Sequence, residues 1–216
     1  MTYSHFLPAL LLALASNLDN VGVGLAYGMR RVRVPLSSNV LIAAITAGGT
    51  LASVLFGNTI GKLLSPSLAN ILAGGILIAM GCWVVVKEAV ALYRGRDQAL
   101  LSTLSSSAEI GYLGKVHTIR ENPLFADGDH SGKIDLKEAL LLGLALTPNN
   151  LVNGAAAGMM DLSVGLMVLL VFLLSVATIW AGIEVGGQCG KRWLGNIAGV
   201  ASGALLIFVG ACEIAI

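Results

Sequence analysis

Two short stretches place chemistry in an otherwise apolar sequence. SNLDN (16–20) sets one acid, Asp19, between Asn17 and Asn20, and TPNN (147–150) sets Thr147, Asn149 and Asn150 around Pro148. Both sit inside long runs of leucine, alanine and glycine. A carboxylate at mid-bilayer costs ~2.5–3.5 kcal/mol on insertion scales, so it persists where it meets a partner, water or a cation. Pro148 has no N–H and clashes with the turn before it, which frees the carbonyl of Leu144. Carboxamide oxygens, a hydroxyl, a free carbonyl and one carboxylate make an all-oxygen set, suited to Mg, Ca or Mn rather than soft metals. Asn153, one turn past Asn149, extends the set. No His or Cys lies in it, which disfavours zinc and copper. A lone membrane asparagine is usually glue between helices, but six polar groups around one acid favour an ion or proton site.

A third stretch, DGDHSGKIDLKE (127–138), follows the twelve-residue EF-hand calcium pattern. Asp127, Asp129 and Ser131 take positions 1, 3 and 5, with Gly132 at the sharp turn. Lys133 offers its carbonyl at position 7, Asp135 takes position 9, and Glu138 is the bidentate ligand at 12. The spacing predicts a site for Ca²⁺ or Mn²⁺. The plainer alternative is an acidic cap, with Asp135 and Glu138 facing the positive end of the next helix. RENPLFA (120–126) contains Pro123 and gives no obvious entering helix, so the loop reads as half of an EF-hand.

The elements that must position these groups are membrane helices. The chain is 56% hydrophobic and 12% charged, half the charge of a soluble domain. Crossing a bilayer takes ~20 apolar residues, and six such spans lie at 6–28, 38–61, 67–92, 138–160, 163–187 and 194–216. The expected fold is an all-α membrane protein. A net charge of +1 offers no basic face for nucleic acid. Cys82, Cys189 and Cys212 read as small packing residues, and MTYSHF lacks the basic start of a cleaved signal peptide. With the N-terminus outside, twelve of the 13 Lys and Arg fall at the inner side and only Lys62 outside. The positive-inside rule then sets a multi-pass plasma (inner) membrane protein with both termini outside and the central loop cytoplasmic.

Residues 9–29 align with 139–159 at a constant offset of 130, with 11 of 21 positions identical, including Asn20, Gly24 and Gly28. Each half holds three spans, and an odd number threads the second half upside down. This predicts two inverted three-helix repeats, 1–92 and 138–216, joined by a cytoplasmic linker, 93–137, that carries the metal loop. Such repeats hold a midplane site at their interface in many transporters. Gly24 and Gly28, like Gly154 and Gly158, form G-x-x-x-G faces for close helix contact. Near the inner end of the fifth span, Glu184 and Gln188 are candidates for an inner gate or proton acceptor, or for side chains that simply reach interfacial water.

The first span, with A-x-x-x-LD-x-(V/F)-x-V-x-(L/Y)-x-G as SNLDNVGVGLAYGMR, resembles the MntP-type manganese exporters of the lysine-exporter-like superfamily. Together with DGDHSGKIDLKEA, it is most similar to their YtaF-type, sporulation-protein branch. The resemblance implies cation efflux, with an acid in the first span and an equivalent acid in the fourth forming the transport site. Asp19 matches the first; the second position holds Asn149. The expectation is therefore a non-enzymatic secondary antiporter of a divalent cation, Mn²⁺, exchanging protons across the lipid bilayer, with the loop regulating it. A small-solute or amino-acid exporter and a calcium-responsive membrane protein without transport remain alternatives. Whether copies form a homo-oligomer is left open.

Overall fold

The computed structural model describes residues 3–94, 112–121, 123–189 and 193–215. Helices account for the regular structure among them: α1 (Tyr3–Arg30), α2 (Leu36–Leu63), α3 (Pro66–Arg94), a short α4 (Tyr112–Glu121), a 3₁₀ turn (Pro123–Ala126), α5 (Leu136–Met159), α6 (Val164–Cys189) and α7 (Trp193–Ala215). The six long helices fall on the six expected apolar stretches, within three residues at every boundary. Most of the linker stretch LLSTLSSSAEIGYLG (100–114) lies outside the described residues.

Four of these helices, α1, α2, α3 and α6, are long and apolar enough to cross a membrane. α7 adds a shorter apolar stretch, Val200–Ala215. In α5 the run Thr147–Asn150 and Asn153 dilutes the apolar content. Large apolar side chains such as Phe56, Trp83, Trp180 and Phe208 stand on the outer surface, each more than half exposed. Water would penalise such a surface; acyl chains do not. The chain is an all-helical, multi-pass membrane protein.

Lipid offers no hydrophobic drive between helices, so close backbone packing must join them. Glycine supplies it at three pairs: α1 with α6, α2 with α5 and α3 with α7. A Cβ built on Gly28 would lie 2.2 Å from the Ile183 carbonyl oxygen, and one on Gly158 2.2 Å from that of Val54. Gly57 is pressed against Ala155, as Gly186 is against Leu25. In α3 and α7, Gly74 faces Gly210 while Gly81 faces Gly203.

α1 and α5 also stop in the same way. Arg31 and Asp161 both adopt left-handed backbone, at φ 56° and 53°. Val32 N–H then bonds to the Tyr27 carbonyl at 3.0 Å, and Leu162 N–H to that of Ala157 at 3.1 Å. These are the 6→1 bonds that satisfy helix-end carbonyls. Beyond α1, Arg33 N–H donates to the Gly132 carbonyl and Ile134 N–H returns to the Arg33 carbonyl, each at 2.9 Å. The C-terminal end of α1 therefore lies beside the N-terminal end of α5, and the two run in opposite directions.

Two apolar clusters fill the interior. One packs Leu12 with Val54, Met167 and Leu206; the other packs Tyr27 with Ile42, Ile134, Leu142 and Ile179. The polar residues 16–20 and 149–153 lie between them along α1 and α5. Cys82 and Cys212, expected to pack inside, are exposed free thiols. Gly81, not Cys82, faces α7, and the adjacent residue is turned away by about 100°.

Gly158→Val puts a side chain where Val54 and Asn58 backbone atoms already stand, and overpacking of this kind costs about 1–3 kcal/mol. Gly48 has nothing within 4 Å of a built Cβ, so Gly48→Ala should be neutral or stabilising by up to about 1 kcal/mol. Thermal unfolding in detergent, comparing both variants with the parent, checks the contrast.

Candidate cation site

Asp19 lies near the middle of α1, with Asn149 opposite it in α5. Asn149 Nδ2 donates to Asp19 Oδ2 at 2.5 Å, and the backbone N–H of Asn20 donates to Asp19 Oδ1 at 2.9 Å. Each carboxyl oxygen thus accepts one bond. Hydrogen bonds to a charged group contribute about 1.5–3 kcal/mol each. Two of them are comparable with the insertion cost of the acid.

The neighbouring carboxamides are arranged differently. Asn17 Nδ2 donates to the Ala13 carbonyl at 2.8 Å and its oxygen accepts from Asn20 Nδ2 at 2.9 Å, so its oxygen is engaged. Asn20 Nδ2 also reaches Ser175 Oγ on α6 at 3.3 Å. Asn153 Nδ2 donates to Ser16 Oγ at 2.7 Å, tying α5 to α1. Asn150 Nδ2 makes a 3.4 Å bond to the Leu146 carbonyl. In each case the amide nitrogen is satisfied by a neighbour. The oxygens of Asn20, Asn150 and Asn153 are not: all three are buried without a hydrogen-bond donor, as is that of Asn39 on α2. A buried, unpaired acceptor costs about 1–3 kcal/mol. Three on the two helices that also carry Asp19 and Asn149 are a large penalty for a structural role and a natural set of ligands for a hard cation.

The remaining candidates divide. Thr147 Oγ1 donates to the Gly143 carbonyl at 2.8 Å, leaving its lone pairs free to accept. The Leu144 side chain is exposed, while Leu142, Ala145 and Leu146 around it are buried. Glu184 and Gln188 are exposed on α6. Thr46, Thr50 and Thr178 bond to carbonyls of their own helices. Sequence reasoning missed Ser16, Ser175 and Arg120. Ser16 was readable as part of SNLDN, and Ser175 as a hydroxyl in a span otherwise rich in branched apolar residues. Arg120 had no signal: from α4, its guanidinium donates to Asn149 Oδ1 at 3.4 Å.

The acidic loop folds as a compact turn. Asp127 is buried and accepts from Ser131 N–H at 3.0 Å and Gly132 N–H at 3.1 Å. Gly132 takes φ 73°, a left-handed conformation that suits a residue without Cβ. Glu138 and Asp135 form a reciprocal capping box on α5, and Glu138 Oε1 also accepts from Gly128 N–H at 2.8 Å. Carboxylate oxygens of Asp127, Asp129 and Glu138 lie within 4.8 Å of one another. Bonds from Ser131 hold the Asp129 carboxyl below its usual range, keeping it anionic. Ser131 Oγ donates to the Lys133 carbonyl at 3.0 Å. The entering segment is a 3₁₀ turn after α4 rather than a full helix. Lys133 is paired with Arg33 of the α1–α2 connection, Ile134 at position 8 donates its N–H to the Arg33 carbonyl, and Ser38 Oγ on α2 bonds to the Ile134 carbonyl at 2.8 Å.

Residues 2–85 match the family described as "Mntp: Putative manganese efflux pump". The "Probable sporulation protein YtaF" of Bacillus subtilis (strain 168) is 32% identical over 202 residues, 93% of this chain and 95% of that protein. No solved structure matches the chain. That relative spans both the helix carrying Asp19 and the loop at 127–138, and on this ground the chain belongs to the MntP/YtaF family of membrane proteins.

Proposed function

We propose that the protein exports a divalent cation, Mn²⁺, by alternating access around the site between α1 and α5. The observation that carries this reading is that the carboxamide oxygens of Asn20, Asn150 and Asn153 are buried without a donor on the two helices joined by the Asn149–Asp19 bond. Thr147 Oγ1 and the Leu144 carbonyl complete a hard-oxygen set. Because the fourth-span position is Asn149, the site carries a single acid. Proton exchange therefore falls to Asp19, since a carboxamide takes up no proton.

In this reading the chain is two inverted halves, 1–92 and 138–216, with six spans, both ends outside and the linker 93–137 cytoplasmic. The recurring contacts support it. Gly28 meets Ile183, Gly186 and Gly187, and the equivalent Gly158 meets Val54, Gly57 and Asn58. Such symmetry lets one half adopt the conformation of the other, which is how a fixed midplane site opens to either side. The loop at 127–138 binds Ca²⁺ or Mn²⁺ in the cytoplasm. Its backbone bonds to Arg33 and Ser38 join it to α1 and α2 as well as α5, so occupancy biases the balance of inward- and outward-facing states.

One observation favours a second reading, export of a zwitterionic amino acid. Arg120 places a cation near Asp19, so a carboxylate and an amine would each find a counter-charge. A membrane protein that responds to calcium without transport would be indifferent to Asp19.

Inside-out vesicles containing the protein should accumulate Mn²⁺, and Asp19→Asn should reduce uptake to the level of empty vesicles. Uptake of glycine but not Mn²⁺ would select the amino-acid reading, and no uptake of either would end the exporter proposal. Asp127→Asn and Glu138→Gln should each weaken Ca²⁺ binding by about an order of magnitude, because affinity follows ligand charge. Transport with an unchanged metal dependence in the double variant would exclude control by the loop.

A further inference from the structure

Asn149 is held between two groups of opposite charge. Its Nδ2 faces Asp19 Oδ2 at 2.5 Å, and its Oδ1 faces the Arg120 guanidinium at 3.4 Å. A carboxamide has an acceptor on one side and donors on the other, so both contacts fix the same orientation. That orientation is wrong for a cation at Asp19, since it presents N–H where an oxygen ligand is needed. Turning the amide over would give Oδ1 to the cation, but would also turn Nδ2 toward Arg120, donor against donor. Arg120 carries a permanent charge and has no acceptor, so it cannot adapt.

α4 is well placed to apply this constraint. Ile119 is buried in the cluster that also holds Val23 and Tyr27 of α1 and Ala145 and Leu146 of α5. Just beyond α4, the Pro123 carbonyl accepts from Tyr27 Oη at 2.7 Å. The linker helix is therefore anchored to both site-bearing helices, with Arg120 directed at Asn149.

The geometry points to Arg120 as a positioning residue that latches Asn149 in its cation-free orientation and sets the affinity of the site for its substrate. This rests on the cation-export reading. A cation arriving at Asp19 must displace Arg120 from Asn149 before that residue can join its ligands. Arg120 is exposed, so the latch is a modest one.

The test is Mn²⁺ binding to the full chain in detergent, followed by the loss of the free-ion paramagnetic resonance signal. The loop is neutralised by Asp127→Asn with Glu138→Gln, so that the Asp19 site reports. Arg120→Gln should tighten binding about threefold, the scale of one exposed charge-assisted contact. Arg120→Lys should fall between Gln and the parent. In vesicles the same gain should appear as a lower KM with the maximal rate held. Repulsion by the arginine charge alone would also weaken binding, so the decisive comparison uses Asn149→Ala. In that background Arg120→Gln should have no further effect, and an equal gain there would overturn the latch. Unchanged affinity in Arg120→Gln, with Asp19-dependent binding intact, overturns the latch and leaves the export reading standing. Absence of any Asp19-dependent binding overturns the export reading, and the latch with it.

Discussion

An acid halfway along a membrane helix must be matched by its surroundings, and in this protein the match is made across two helices by a single amide. The bond from Asn149 to Asp19 joins α1 to α5, and one turn along the Asn153–Ser16 bond joins them again. Much of the remaining architecture follows from keeping that bond in place. The glycine faces draw α1 onto α6 and α5 onto α2 so closely that no side chain fits between, and the apolar clusters above and below hold the polar band at fixed depth. The asparagines around it then spend their nitrogens on neighbours and keep three oxygens free.

A structure built only for packing would not leave those oxygens unpaired. Ser16, Ser175 and the helix carbonyls show that donors and acceptors are otherwise matched locally, often within one turn. Among the described residues the imbalance is confined to acceptors, and three of the four lie on α1 and α5, the helices that carry Asp19 and Asn149. Asn149 leaves the site with a single acid, yet it is a group that can turn one side to that acid and the other to a cation. Its neutrality makes Arg120 meaningful, because an aspartate at 149 would simply pair with it.

Much of this was legible in the sequence. Apolar run length located the six long helices, because a span must be about 20 residues whatever its neighbours. The offset of 130 paired Asp19 with Asn149 before any contact was known, and the twelve-residue spacing located the loop. Other features depend on the direction of a side chain around a helix. Gly182 and Gly186 face α1, which turns Glu184, two residues from each, about 200° away; that could have been deduced and was not. The reach of Arg120 could not, since it depends on where a linker helix docks, and neither hydropathy nor spacing encodes that. Nor does residue type reveal which end of an asparagine amide faces the acid.

The loop illustrates how a borrowed motif can be completed. EF-hand loops ordinarily occur with a partner strand, and here the α1–α2 connection takes that place through Arg33. The candidate ligands Asp127, Asp129 and Glu138 are thereby tied to the helix that carries Asp19 by a few backbone bonds.

The central claim is that a hard cation sits between α1 and α5 at Asp19. Anomalous diffraction from crystals soaked in Mn²⁺ tests it most directly. The account predicts a peak about 2.0–2.6 Å from oxygens of Asp19 and of Asn20 or Asn150, the range of hard-cation ligation, and its disappearance in Asp19→Asn. A peak confined to the loop at 127–138, or one that survives the loss of the acid, would contradict it.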